Sequence, residues 1–87
     1  MIILIEDCGE KFYYACYTKA SAVEKHLKES SDCTDVSELD VVKEVVKYDA
    51  ERISFYSEEG VILGNIFSAG QQINEKDYPA LIATTLY

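Results

Sequence analysis

Ile2, Ile3, Leu4 and Ile5 form an unbroken aliphatic run that ends in Glu6 and Asp7. A run of this kind is too short for a core helix. It suits a strand buried on both faces, at the centre of a sheet. Asp7, Cys8, Gly9 and Glu10 follow, and Gly9 supplies the backbone freedom of a tight hairpin turn. Residues 11–18 are rich in Tyr and Phe, which favour strands. Phe12, Tyr14 and Cys16 alternate with Tyr13, Ala15 and Tyr17, so both faces are apolar or aromatic. A helix comes next, predicted to end near Glu29. Ser21 and Glu24 fit a capping box, with Thr18 as the alternative cap. Its apolar stripe is Ala22, Val23, His26 and Leu27. Residues 2–30 therefore predict a ββα unit around which the rest of the chain is arranged.

The remaining 57 residues must cover that unit, because a chain of 87 has length for one domain, 1–87, and one small core. Residues 30–40 are rich in Ser, Asp and Thr and predict a mobile loop. Residues 40–48 are ambiguous. Leu39, Val42 and Val46 share a helical face, but four of the nine residues are Val, and the β-branched content favours a strand. Residues 52–57 alternate as a strand with Ile53 and Phe55 on one face. Glu58, Glu59 and Gly60 form a turn, and residues 61–67 a return strand in which Gly64 marks a bulge or a close backbone approach. Residues 68–72 read as a connection. Asp77 as a cap and Pro79 in a first turn predict a terminal helix over 80–86, with Leu81, Ile82, Thr85 and Leu86 inward. The expected fold is α+β in the order ββαβββα: an antiparallel sheet of about five strands with helices packed on one face.

Charge narrows the function. Sixteen acids face eight bases, for a net charge of -8. Nine acids lie in residues 31–60 against Lys43, Lys47 and Arg52, so six of the eight net charges fall in the middle third. Such a chain lacks the clustered Lys and Arg that bind nucleic acid or anionic lipid directly. A basic protein surface is the expected partner, and a negative stripe can mimic nucleic-acid phosphates there. The residues expected to make that contact are Asp32, Asp35, Glu38, Asp40, Glu44, Glu58 and Glu59, with Tyr56 as a packing anchor. Seven tyrosines add a second signal, since Tyr buries a large area at interfaces while satisfying its hydroxyl. Tyr13, Tyr17 and Tyr56 are expected on an exposed sheet face.

No motif points to catalysis or to a cofactor. Cys8, Cys16, Cys33 and His26 lack the paired spacing of a zinc site. The loop acids lack a calcium-loop pattern, and Gly60, Gly64 and Gly70 do not build a phosphate cradle. Three cysteines match no disulfide framework, so reduced thiols are expected. The chain has no apolar run long enough to span a bilayer, and its start lacks the features of a signal peptide, which predicts a cytoplasmic location.

In general character, by size, charge and absence of catalytic motifs, the chain is similar to the small acidic proteins with which phages block host defence nucleases. That likeness implies a non-enzymatic inhibitor of the anti-CRISPR or anti-restriction kind. The alternative is an assembly module that forms a homodimer through the aromatic face of Tyr13, Ala15 and Tyr17, the acidic loop serving only solubility.

Overall fold

The computed structural model describes residues 1–57 and 59–84. The opening unit forms as its sequence directs. Strand β1 (Ile2–Asp7) pairs antiparallel with β2 (Glu10–Ala15), Asp7 opposite Glu10 and Ile2 opposite Ala15. The two turn residues, Cys8 and Gly9, have φ of 52° and 81°. Positive φ at both central positions is the two-residue turn whose twist matches a hairpin. Helix α1 (Lys19–Glu29) follows, capped by Thr18, whose Oγ1 accepts from the Ser21 backbone N–H at 3.1 Å. The alternative cap is thus the one used. The helix starts two residues before Ser21, and the Ser21 hydroxyl donates back to the Thr18 carbonyl at 2.8 Å.

β1 lies inside a four-stranded antiparallel sheet of order β3-β1-β2-β6, with β3 spanning Val41–Val45 and β6 Ala80–Thr84. A second sheet of two strands pairs β4 (Ser54–Tyr56) with β5 (Ile62–Asn65). Two further short helices lie among the described residues, α2 (Lys47–Ala50) and α3 (Ile66–Gln71). The architecture is a small α+β domain built on an antiparallel sheet, as expected. Among the described residues its order is ββαβαββαβ rather than ββαβββα, with six strands in two sheets.

The helices do not share one face. Ile3, Ile5, Phe12, Tyr14 and Cys16 pack beneath Ala22 and Val23 of α1, joined by Leu39 and Val42. Leu4, Tyr13 and Val45 pack on the other side against Ala50 of α2, Ile66 and Phe67 of α3, and Ile53 and Phe55 beside the second sheet. The reason is in β1 and β2, which are apolar on both faces, so each face needs a cover. Burying an aliphatic side chain such as Ile3, Ile5 or Ile66 stabilises by about 2 kcal/mol each. Leaving one face bare would forfeit that gain.

The second cover corrects the expected aromatic surface. Tyr13 is only 6% exposed and Ala15 is buried, so the Tyr13, Ala15 and Tyr17 face does not meet solvent as a patch. Tyr17 and Tyr56 are exposed. Tyr17 donates its hydroxyl to Glu75 at 2.6 Å and meets the Tyr78 ring edge-on at 5.0 Å.

Residues 40–48 divide between the two readings: strand over Val41–Val45, then a helical turn from Lys47. Gly64 has φ of 146° beside the register shift between Phe55 and Tyr56, the bulge expected there. The strand expected to run to residue 67 stops at Asn65, whose side chain accepts from the Ser68 N–H at 2.8 Å and starts α3. Residues 68–72, expected as a connection, continue that helix through Gln71.

The expected terminal helix is instead strand β6. Phe12 and Tyr13 pair with Thr84 and Ala83, and the register shifts by one before Tyr14 meets Leu81. Without β6, β2 would present an open, aromatic edge, and pairing satisfies both backbones at once. Asp77 sits in a 3-10 turn (Glu75–Asp77) capped by Asn74. Thr85 and Leu86, expected to face inward, lie outside the described residues.

Candidate functional site

The α1–β3 connection carries most of the acids singled out from the sequence, and it is ordered by its own hydrogen bonds. Asp35 caps the 3-10 turn Val36–Glu38, accepting from the Ser37 N–H at 3.4 Å and from the Ser37 hydroxyl. Those donors, the Ser37 hydroxyl first, hold the Asp35 carboxyl below its usual range. Glu38 closes the box from the other end. Its Oε1 accepts from the Thr34 N–H, the Thr34 hydroxyl and the Asp35 N–H, each at 3.1 Å. The segment is the loop expected there, with one 3-10 turn inside it. A polar segment with few apolar anchors has recruited two of its acids as internal acceptors.

Asp32, Asp40 and Glu44 are exposed. The Asp40 backbone N–H donates to the Glu6 carbonyl at 2.9 Å and leads the chain into β3. Glu44 pairs across from Ile3, which places it on the face that α1 covers. Asp35 and Val36 line an open apolar groove of about 620 Å³ with Val23, Leu27 and Val42 as its floor and Lys19 and Glu24 at its rim. Asp35 and Glu44 thus belong to the α1 side, and Asp32, Glu38 and Asp40 share the α1–β3 connection with Asp35. Tyr56 and Glu59 belong to the β4–β5 hairpin, whose Phe55 packs on the opposite face of the sheet. The expected set is therefore divided between two surfaces. Glu58 lies outside the described residues.

Behind the connection is a buried polar chain that composition did not single out. Asp7, at the end of β1, is buried and faces α1. Its Oδ2 accepts from His26 Nε2 at 2.8 Å and from the Ser31 hydroxyl at 2.6 Å, and its Oδ1 accepts from Cys33 Sγ at 3.6 Å. His26 is fully buried, and its Nδ1 lies 2.8 Å from the hydroxyl of the equally buried Tyr14. An ionised carboxylate can only accept, so Nε2 carries the proton toward Asp7. The Phe12 ring meets the imidazole edge-on at 4.6 Å.

Ser31 contributes most to lowering the Asp7 carboxyl below its usual range. Burial opposes this, and His26, Cys8 and Cys33 add to it. A histidine in the apolar stripe of a helix was the available signal, because a buried imidazole needs partners at both nitrogens.

The order Asp–His–hydroxyl is that of a nucleophile relay, but a nucleophile must reach substrate. The hydroxyl here is Tyr14, fully buried beneath α1. Nearby Cys8 is exposed, yet its hydrogen bond to Asp7 raises its thiol above the usual value and keeps it protonated. Cys16 is raised by burial. The chain of bonds ties α1, both strands of the first hairpin and the start of the acidic connection into one unit. Among the described residues no group of three His, Cys, Asp or Glu side chains is placed to hold a metal ion. No helix among them is long and apolar enough to cross a membrane. No protein-family model, curated protein or solved structure matches the chain.

Proposed function

We propose that this protein is a non-enzymatic interaction module whose acidic α1-side surface occupies a basic, nucleic-acid-binding surface of a partner protein such as a nuclease, and so inhibits it. One observation carries the reading. Asp35 lines an open apolar groove with Val23, Leu27 and Val42, Glu44 shares the α1 face of the sheet, and Asp32, Glu38 and Asp40 are carried by the same α1–β3 connection as Asp35. Charge at the rim steers a basic partner and fixes its register. An apolar groove beside it gives a partner side chain somewhere to be desolvated, which is where binding energy concentrates.

The test uses the whole chain as bait against extract from its host, at about 0.05 M and about 0.3 M salt, with and without competing duplex DNA or RNA. A triple variant, Asp32→Lys with Asp40→Lys and Glu44→Lys, is run in parallel. The expected result is a nucleic-acid-binding protein retained at low salt, displaced by nucleic acid and lost with the variant. Retention indifferent to salt, competitor and charge reversal overturns the reading.

A further inference from the structure

β3 is an outer strand of the four-stranded sheet and is paired with β1 along one edge. The ladder fixes which of its residues turn outward. Met1 N donates to the Cys16 carbonyl at 2.8 Å, and Cys16 N donates to the Met1 carbonyl at 3.0 Å. In an antiparallel ladder successive residues direct their N–H and C=O to opposite edges. Ile2, Leu4 and Glu6 therefore bond toward β3, opposite Val45, Lys43 and Val41. This leaves the N–H and C=O of Val42 and Glu44 directed away from the sheet. Among the described residues none hydrogen-bonds to them there.

The side chains of the same two residues face α1. Val42 packs on the α1-side core, and Glu44 stands opposite Ile3 of that core. Val42 also lines the apolar groove with Val23, Leu27 and Asp35. One strand edge thus combines open backbone groups, an apolar groove and an exposed carboxylate.

The backbone groups and the charges together say what fits. Only an extended chain satisfies an open strand edge residue by residue. A second copy of β3 fits badly, because opposed residues share a face. A two-fold pairing centred on Lys43 sets that lysine against itself, and one centred on Glu44 sets the two carboxylates together. Centred on Val42, it opposes Asp40 and Glu44. A strand from a basic partner fits. Running antiparallel to β3, as neighbours do throughout this sheet, it places one side chain opposite Glu44, the next opposite Lys43 and the third opposite Val42, beside the groove. The charges select a basic, then a non-basic, then an apolar residue.

We infer that β3 takes up an extended segment of the partner protein as an added strand, with a Lys or Arg opposite Glu44 and an apolar side chain, two residues on, at the groove. This rests on the acidic docking for its partner and names the element by which that partner is held.

The probe is the peptide acetyl-Thr-Arg-Thr-Leu-Thr-amide, titrated to about 10 mM into the isotope-labelled chain, with backbone amide exchange followed by NMR. The expected Kd is about 1 mM, and the Val42 and Glu44 amides are expected to exchange about tenfold more slowly at the end of the titration. The Lys43 amide, already bonded to β1, is expected to change little. Replacing the peptide's Arg by Glu is expected to weaken binding about fivefold, and Glu44→Lys, checked for folding by circular dichroism, is expected to reverse that preference. Absence of protection at Val42 and Glu44, equal binding of the two peptides, or a preference that folded Glu44→Lys leaves unchanged overturns the inference. So does a free chain whose Val42 and Glu44 amides are already protected by a second copy. If a nucleic-acid-binding protein is retained from extract but the peptide gives no protection, strand addition fails and acidic docking stands. If the peptide protects but no such protein is retained, strand addition stands and acidic docking fails.

Discussion

His26 Nε2 donates to Asp7 Oδ2 across 2.8 Å, and this single bond joins the middle of α1 to the end of β1. Neither side chain is free to find water instead. Truncating one partner therefore strands the other. Asp7→Ala leaves the imidazole N–H and the Ser31 hydroxyl without their acceptor, and a loss of about 3 kcal/mol is expected. His26→Leu leaves the Tyr14 hydroxyl and the Asp7 carboxylate short of a partner at similar cost. The double variant is expected to lose clearly less than the sum. Urea unfolding of the four proteins measures the coupling directly.

The same carboxylate sets an acid limit on stability. The folded Asp7 carboxyl lies below its usual value of 3.8, so the folded state binds its proton less readily than the unfolded chain. Its contribution is fully present above the unfolded value and is lost as pH falls through the folded one. Asp35 is shifted in the same direction by Ser37. Thermal melts from about pH 6 down to about pH 2 are expected to show stability falling below about pH 4. Asp7→Asn is expected to flatten that fall. An Asp7→Asn protein with the same acid dependence as the parent would contradict this assignment.

The acids of the connection divide into two kinds, and mutation should separate them. Asp35 and Glu38 accept hydrogen bonds within the connection. Asp35→Ala is expected to lower the melting temperature and to speed proteolysis between residues 31 and 40. Asp32→Lys, Asp40→Lys and Glu44→Lys alter exposed positions. Each is expected to change stability by less than about 0.5 kcal/mol. Melting and limited proteolysis on the single variants distinguish the two kinds.

Gly64 is a backbone position rather than a packing one. A Cβ added there would lie 3.5 Å from Phe55 Cε1, an ordinary contact. Its φ of 146°, however, is a conformation that side-chain-bearing residues rarely adopt. Gly64→Ala is expected to cost about 1–3 kcal/mol through the backbone alone. Phe55→Leu combined with it should give no rescue, and the melting temperatures of the single and double variants check this.

Local signals were enough for the opening unit and for the second hairpin. The aliphatic run of β1, positive φ at Gly9, the Tyr-rich β2, the stripe of α1 and the bulge at Gly64 all follow from neighbouring residues. The strand over 41–45 was legible from its valines. The acidic character of the candidate site was legible too, because charge is counted without knowing the fold. Its boundaries were not. Separating Tyr56 and Glu59 from the surface that carries Asp35 and Glu44 required knowing which face of the sheet the hairpin covers, and strand order carries that information.

What the sequence determined by itself was periodicity and sign: which segments alternate, where the backbone must turn, and that the surface is negative. The tertiary structure decided everything that depends on a distant partner. Ala80–Thr84 has the capping signals of a helix and becomes β6, because pairing satisfies the open edge of β2 and a short terminal helix would not. Tyr13 looks like a surface residue beside Tyr17 and is buried, because α3 and the β4–β5 hairpin return to cover it. Asp7 and His26 are nineteen residues apart and meet only once α1 docks on the sheet. In each case a non-local contact outweighs a local preference of about 1 kcal/mol. Residue spacing along the chain does not reveal which distant segment supplies that contact.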